Sequence, residues 1–555
     1  MFFLPLSSLI YILFALDLRT LALPVIENAG NAGLSIDKRG ISLYAPHGST
    51  CPSTPLLRAA NGISTGESNY ITARTPIATA ALGTWLQQVD SGFATSNLPT
   101  VGLTTSGGGL RSLLEGAGVI QAFDSRDSSV GTSGLYQGLV YQAGLSGGSW
   151  LLSSLAGNNW PTISSLRTGL WETVFQDGLL DPDGIALVIG DALIVDDIVA
   201  KGAAGFPVTL TDPWGRLLSY QLLYGSDGGA SDRLSGITSL SQFTSHNVPY
   251  PIITSIEVAP GQCIPSDSNP QFEMHPYEWG SWDIGIAAFI QTPYLGTSLE
   301  NGQPIVAGSC IQNYDNLGFI FGTSSNLFSE NCISDPSAES SNTEMAALEA
   351  FLISVIADVD SEEFAVYPNP FYGYSGSPLV SARTELYLVD GGLSNQNNPI
   401  WPFIQPARAN DISVLIVNDN SADTANNFPN GTEIYTTCIQ AQQAGLSRMP
   451  TIPPVSTFVL EGLNKRATFF GCNDDSTLTI IYLPNVNYTY PSNQPTTRFQ
   501  YDSSDTAAMI ANGNLIGTQN GDENWPTCLG CAIVKKTGNT LPSACNACFT
   551  EYCYN

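Results

Sequence analysis

The chain has 555 residues, 43% hydrophobic and 10% aromatic, enough to bury a large core and too apolar for a disordered polymer. Its 19 basic and 48 acidic side chains leave a formal net charge of −29, which argues against nucleic acid and against electrostatic capture by anionic lipid. Any membrane-borne partner would have to be met through apolar contact or through a local cation.

In chain order, residues 1–15 are uncharged and mostly apolar, the profile of a secretory signal segment and too short for a comfortable membrane span. The expected boundaries are a signal peptide at 1–22 and a candidate propeptide at 23–39 ending in the dibasic pair Lys38-Arg39. A strand is expected over 100–105, followed by the turn Ser106-Gly107-Gly108-Gly109 and a helix whose Leu110, Leu113, Leu114 and Ala117 mark one apolar face. The same grammar recurs at "GLVYQAGLSGGSW", where an apolar strand breaks at Ser146 and a helix follows. A polar gap at 333–345 precedes a further expected helix, and "TELYLVDGG" and "DISVLIVND" read as buried strands, the first ending in Asp390. Strand, glycine turn and helix in repetition predict an α/β fold with a mainly parallel central sheet flanked by helices. Ligands in such folds bind beyond the carboxyl ends of the strands, so the 107–109 turn, Ser146 and Asp390 are expected on one rim.

Eleven cysteines include five in the tail, at Cys528, Cys531, Cys545, Cys548 and Cys553. Paired CxxC elements could bind zinc, but behind a secretion signal disulfides are the expected use. The odd total leaves at least one thiol without an intrachain partner, and the odd tail cluster cannot be paired within itself. Asn430 and Asn487 open Asn-x-Thr sequons and are candidate glycosylation sites. The polar C-terminus lacks the hydrophobic tail of a lipid-anchor signal, so a secreted, soluble product with no mature transmembrane segment is expected.

The chemistry centres on Ser146. Glycines on either side allow a sharp strand-to-helix turn that presents a nucleophilic hydroxyl, and the N–H groups at the start of the following helix, Gly147 first, face developing negative charge. The usual partner of such a serine is a histidine after an acid, yet the chain has three histidines and none after residue 275. His246 and His275 therefore read as packing or hydrogen-bonding residues. A carboxylate desolvated enough to become a better proton acceptor is the alternative base, and Asp390, at the end of an apolar strand and followed by two glycines, is the candidate. The turn Ser106-Gly107-Gly108-Gly109, at a helix start, can aim consecutive backbone N–H groups at an oxyanion, and Arg111 can pair with a phosphate. No lysine completes a nucleotide-binding loop, and no metal or cofactor is expected.

The segments "TTSGGGLRSLLEGAG", "GLSGGSW" and "LVDGGLSNQNNPIWP" together resemble the fungal lysophospholipase (phospholipase B) family, related to the catalytic domain of cytosolic phospholipase A2. "YAPHGSTCP", "WGSWDIGIAAFIQTPYLGT", "GFIFGTSSNLF" and the cysteine-rich tail fit the same pattern. The resemblance implies a patatin/cytosolic phospholipase A2-like domain over 45–555, with extra loops and disulfides. It implies Ser146 as nucleophile, Asp390 as base, Gly108 and Gly109 as oxyanion donors, and Arg111 on the substrate phosphate. It further implies phospholipid and lysophospholipid substrates met at a membrane or micelle surface, with transacylation as a side reaction. Leu110 and Ser112 depart from the family's aromatic and alanine, which bears on acyl-chain and head-group preference. The calcium- and lipid-binding module of the cytosolic relatives is absent, so no calcium requirement is expected. Two other readings stay open: an esterase of neutral lipids, and an inactive surface glycoprotein that keeps the fold.

Overall fold

The computed structural model describes residues 42–179, 187–331 and 363–554. The expected signal peptide and propeptide, the polar gap and the helix after it lie outside those residues.

Among the described residues twelve strands share one sheet. They are β1 (Leu57–Ala59), β2 (Val101–Thr105), β3 (Leu139–Gly144), β4 (Tyr250–Glu257), β5 (Gln271–Met274) and β6 (Glu278–Ser281). The rest are β7 (Ala288–Gln291), β8 (Ala365–Pro368), β9 (Glu385–Val389), β10 (Val414–Asp419), β11 (Thr468–Phe470) and β12 (Thr479–Pro484). Their spatial order is β11-β12-β10-β2-β3-β4-β5-β6-β7-β1, with β9 also on β4 and β8 on β9.

Parallel pairing holds the centre, where β12, β10, β2, β3 and β4 run the same way. Every other pairing is antiparallel, so the sheet is mixed, with its parallel character confined to the middle. The five central strands are buried along their whole length, which is why their sequences lack a polar alternation.

The helices that matter for the site are α1 (Thr65–Val89), α2 (Gly109–Phe123), α3 (Gly147–Gly157) and α4 (Leu317–Ser324). Later in the chain come α5 (Thr432–Gln443), α6 (Ser503–Gly517), α7 (Trp525–Val534) and α8 (Cys545–Tyr552). The sequence predicted one apolar face for α2, yet every residue of it except Gln121 is buried. The reason is α6, which lies so close that a Cβ at Gly118 would sit 2.1 Å from the Ile510 carbonyl oxygen, and one at Gly513 2.1 Å from that of Glu115. A helix enclosed on all sides keeps even Arg111, Ser112 and Glu115 from water.

The tail cysteines form disulfides Cys528–Cys548 and Cys531–Cys545, joining α7 to α8, and the fifth reaches back in Cys472–Cys553. Cys51–Cys310 closes another loop, and Cys263 is also disulfide-bonded. Cys438 is the free thiol among the described residues, and it is buried. No helix among these residues is long and apolar enough to cross a membrane.

Candidate active site

Two strand-to-helix turns lie side by side because β2 and β3 are parallel neighbours. The first carries Gly108 at φ +139° and Gly109 at φ +61°, conformations that favour glycine. The second carries Ser146 at φ +52°, ψ −123°, a strained backbone for a residue with a side chain, costing on the order of 1–3 kcal/mol. Ser324 at the end of α4 holds that turn in place. The Ser146 N–H donates to the Ser324 hydroxyl at 3.0 Å and to its carbonyl at 3.1 Å, while the Ser324 hydroxyl donates to the Thr254 carbonyl at 2.7 Å.

Asp390 follows β9 and is 2% exposed. Its N–H donates to the Asn326 carbonyl at 3.0 Å, and its Oδ1 accepts from the Gly392 N–H at 2.8 Å. The Ser146 side chain approaches the same carboxyl closely enough to favour its ionised form. Burial raises the Asp390 pKa to about 7, and Glu330 adds to the rise, whereas the Ser146 hydroxyl and the Gly392 N–H oppose it. The two side chains line one cleft of about 330 Å³ together with Gly108, Arg111, Asn397 and Glu433.

Among the described residues nothing accepts from the backbone N–H of Gly108, Gly109 or Gly147. Gly109 and Gly147 are the first residues of α2 and α3 and Gly108 is the N-cap of α2, positions where the helix supplies no partner. Their turns touch: a Cβ at Gly147 would lie 2.1 Å from the Gly109 carbonyl oxygen, and one at Gly107 2.9 Å from the Ser146 Cβ.

Arg111 is fully buried, so it is no solvated helix arginine. Its Nε donates to the Asn420 carbonyl at 3.0 Å, Nη1 to the Gln494 carbonyl and Nη2 to Thr496 Oγ1 at 3.2 Å. Burial lowers its pKa to about 10, which leaves it charged at neutral pH. No carboxylate among the described residues forms a direct ion pair with it, although Asp419, Asp423 and Glu115 are near enough to act on its charge, and it lines the cleft.

The histidines stand apart from the cleft. His275 is buried with Nδ1 2.7 Å from the Tyr250 hydroxyl, and burial depresses its pKa to about 3. His246 packs its ring on Tyr70 at 5.0 Å, and its carbonyl accepts from Arg74. Of the sequons, Asn487 is exposed, and the half-buried Asn430 has its Oδ1 accepting from the Thr432 N–H at 2.9 Å and hydroxyl at 2.6 Å.

Two residues of the site escaped the sequence reading. The Asn397 Oδ1 accepts from the Gly107 N–H at 3.0 Å, and its own N–H donates to Glu433 Oε2 at 2.6 Å. Asn397 stands in the same "LVDGGLSNQNNP" run as Asp390 and could have been flagged by that proximity; nothing near Glu433 marks it.

The backbone resembles human GIVD cytosolic phospholipase A2, with TM-score 0.67 at 16% identity over 89% of this chain and 72% of that one. The same protein in complex with methyl gamma-linolenyl fluorophosphonate aligns with TM-score 0.62 at 17% identity, over 88% and 67% of the two chains. This is the α/β class with a mixed central sheet. The lysophospholipase catalytic domain model matches residues 101–555, and the chain belongs to that family. Its relatives include lysophospholipase 2 of Aspergillus fumigatus, 36% identical over 92% of this chain and 93% of that protein. Lysophospholipase 1 of Candida albicans is 38% identical over 92% and 89%, and a lysophospholipase of Arthroderma benhamiae 37% over 96% and 90%.

Proposed function

We propose that the protein is a secreted lysophospholipase/phospholipase B that hydrolyses fatty acyl esters of lysophospholipids and phospholipids. The observation that carries the reading is the approach of the Ser146 side chain to the buried Asp390 carboxyl, both lining one cleft without histidine. Asp390 takes the Ser146 proton as Oγ attacks the ester carbonyl carbon. The N–H groups of Gly108, Gly109 and Gly147 receive the oxyanion, and each such donor is worth about 3 kcal/mol of barrier. The protonated Asp390 then donates to the departing glycerol oxygen, leaving acyl-Ser146. Water, deprotonated by the same carboxylate, releases the fatty acid, and a second lysophospholipid in its place gives transacylation. Arg111 pairs with the substrate phosphate through the N–H donors that its three protein contacts leave over. No metal or cofactor enters the scheme.

The family and the names of the relatives support the substrate class, and the disulfides support an oxidising compartment. In this reading residues 1–22 leave as a signal peptide, 23–39 as a propeptide, and 45–555 act as the catalytic domain. Asn430 and Asn487 carry glycans.

The experiment is turnover of lysophosphatidylcholine by the purified protein. Ser146→Ala and Asp390→Asn are each expected to abolish it while folding normally. A folded Ser146→Ala protein with wild-type turnover overturns the reading.

A further inference from the structure

Three turns meet at the side chain of Asn397. Its Oδ1 and its carbonyl both accept from the Gly107 N–H, at 3.0 and 3.2 Å, and its Nδ2 donates to the Gly107 carbonyl at 3.3 Å. The same Nδ2 donates to Ser421 Oγ at 2.8 Å, on the loop after β10. On the other side a Cβ at Gly392 would lie 2.7 Å from Asn397 Oδ1 and 3.1 Å from Asp390 Oδ1. Asn397 is thus wedged between the glycine turn beside Ser146 and the turn that carries Asp390.

Asn397 is in turn held by one carboxyl. Glu433, in the first turn of α5, accepts the Asn397 N–H at 2.6 Å. We propose that Glu433 is a positioning residue for the hydrolysis: acting through Asn397, it sets the separation between the glycine turn and Asp390. The proposal rests on the reading of the site given above. An error of about 1 Å in such a separation costs on the order of 100-fold in rate.

The surroundings of Glu433 add a signature that a purely structural role lacks. It is faced by Asp423 and Asp419 at the end of β10 and beyond, and by Asp390 across the cleft. Burial and then the Asp423 charge hold the Glu433 carboxyl well above the usual range. Asp423 itself is raised to about 7, by burial first and Asp419 second, with Arg111 the cation that opposes the rise. A protonated Glu433 still accepts the Asn397 N–H through its carbonyl oxygen. Once Asp423 and Glu433 are both ionised, their repulsion acts on that contact, and the rate falls at alkaline pH.

The test uses Glu433→Ala, Glu433→Gln, Asn397→Ala and the double alanine variant of the full chain, with lysophosphatidylcholine as substrate and Ser146→Ala as the dead control. Glu433→Ala is expected to lower kcat about 10- to 100-fold with KM within about twofold. Glu433→Gln keeps the acceptor, so it should retain most of the rate near neutrality and extend the active range to higher pH. The double variant should be no slower than the slower single one, because the two residues act in series. A wild-type kcat for folded Glu433→Ala overturns the proposal, as do multiplicative losses in the double variant. If Glu433→Ala does not fold, Glu433→Gln decides: an alkaline limb identical to that of the wild type also overturns it. An inactive wild type would instead sink the reading of the site itself.

Discussion

Ser146 and Asp390 meet head to head along one edge of β4. The strand that leads to Ser146 pairs with β4 as far as Gly144 opposite Ile253, and β9 then takes over from the other direction with Val389 opposite Ile256. The opposite edge of β4 is occupied by β5 from Ile253 to Ile256, which includes both of those residues, so β3 and β9 share a single lane. The proposed nucleophile and its proposed base follow the two strand ends that face each other in that lane.

Asp390 should govern the acid limb of activity. As the proposed base it must be ionised, so kcat/KM is expected to rise with pH through about 7, set by its raised pKa. The same shift carries a stability cost with a defined sign. A folded-state pKa raised above the unfolded value means that stability is greatest below the unfolded pKa, near 4, and falls as pH rises to about 7. Asp390→Asn is therefore expected to raise the melting temperature at pH 8, with the gain shrinking toward pH 4. A constant difference across that range would refute the assignment.

The histidines should be dispensable for chemistry. His275→Asn removes the partner of the buried Tyr250 hydroxyl and is expected to cost about 1–3 kcal/mol of stability, with kcat within about twofold at a temperature where the variant is folded. His246→Ala should behave likewise in kcat. A hundredfold loss in either folded variant would restore an imidazole to the mechanism.

Gly109→Ala should be among the most damaging small substitutions. The new methyl would need φ near +61° and would sit 2.4 Å from the Thr496 carbonyl oxygen, so the turn must shift. Loss of kcat by about 100-fold is expected if the displaced N–H groups are the proposed oxyanion donors, while the same change at the unobstructed Gly62 should leave kcat untouched.

Arg111 should discriminate by substrate. Arg111→Lys keeps the charge and loses the planar fork, so kcat/KM for lysophosphatidylcholine is expected to fall about 10- to 100-fold, with a smaller fall for a neutral glycerol ester. Equal losses on both substrates would mean that the guanidinium serves only the three protein oxygens it binds.

The turns were legible because each carries local chemistry. Glycine runs after apolar strands located the 107–109 turn and Ser146, and the odd cysteine count required both a bond out of the tail, Cys472–Cys553, and a thiol left over, Cys438. Strand direction was not legible. The rule that ligands gather at the carboxyl ends of parallel strands placed Asp390 beside the Ser146 turn, yet β9 is antiparallel to β4, and a short, largely apolar strand reads the same in either direction. Glu433 was invisible for a related reason. It meets Asn397 across 36 positions of sequence, and an acidic residue in the first turn of a helix already has an ordinary explanation in the helix dipole.

The short ladder between β9 and β4 has a larger consequence than its two residue pairs suggest. Side chains alternate faces along a strand, so sliding β9 by a single position would turn Asp390 to the wrong side of the sheet. Arg383, just before β9, forms an ion pair with Glu257 at the end of β4 and opposes that slip. Variation that spares Ser146 and Asp390 could still extinguish the enzyme by loosening this latch, and a survey of inactive variants should look there as well as inside the cleft.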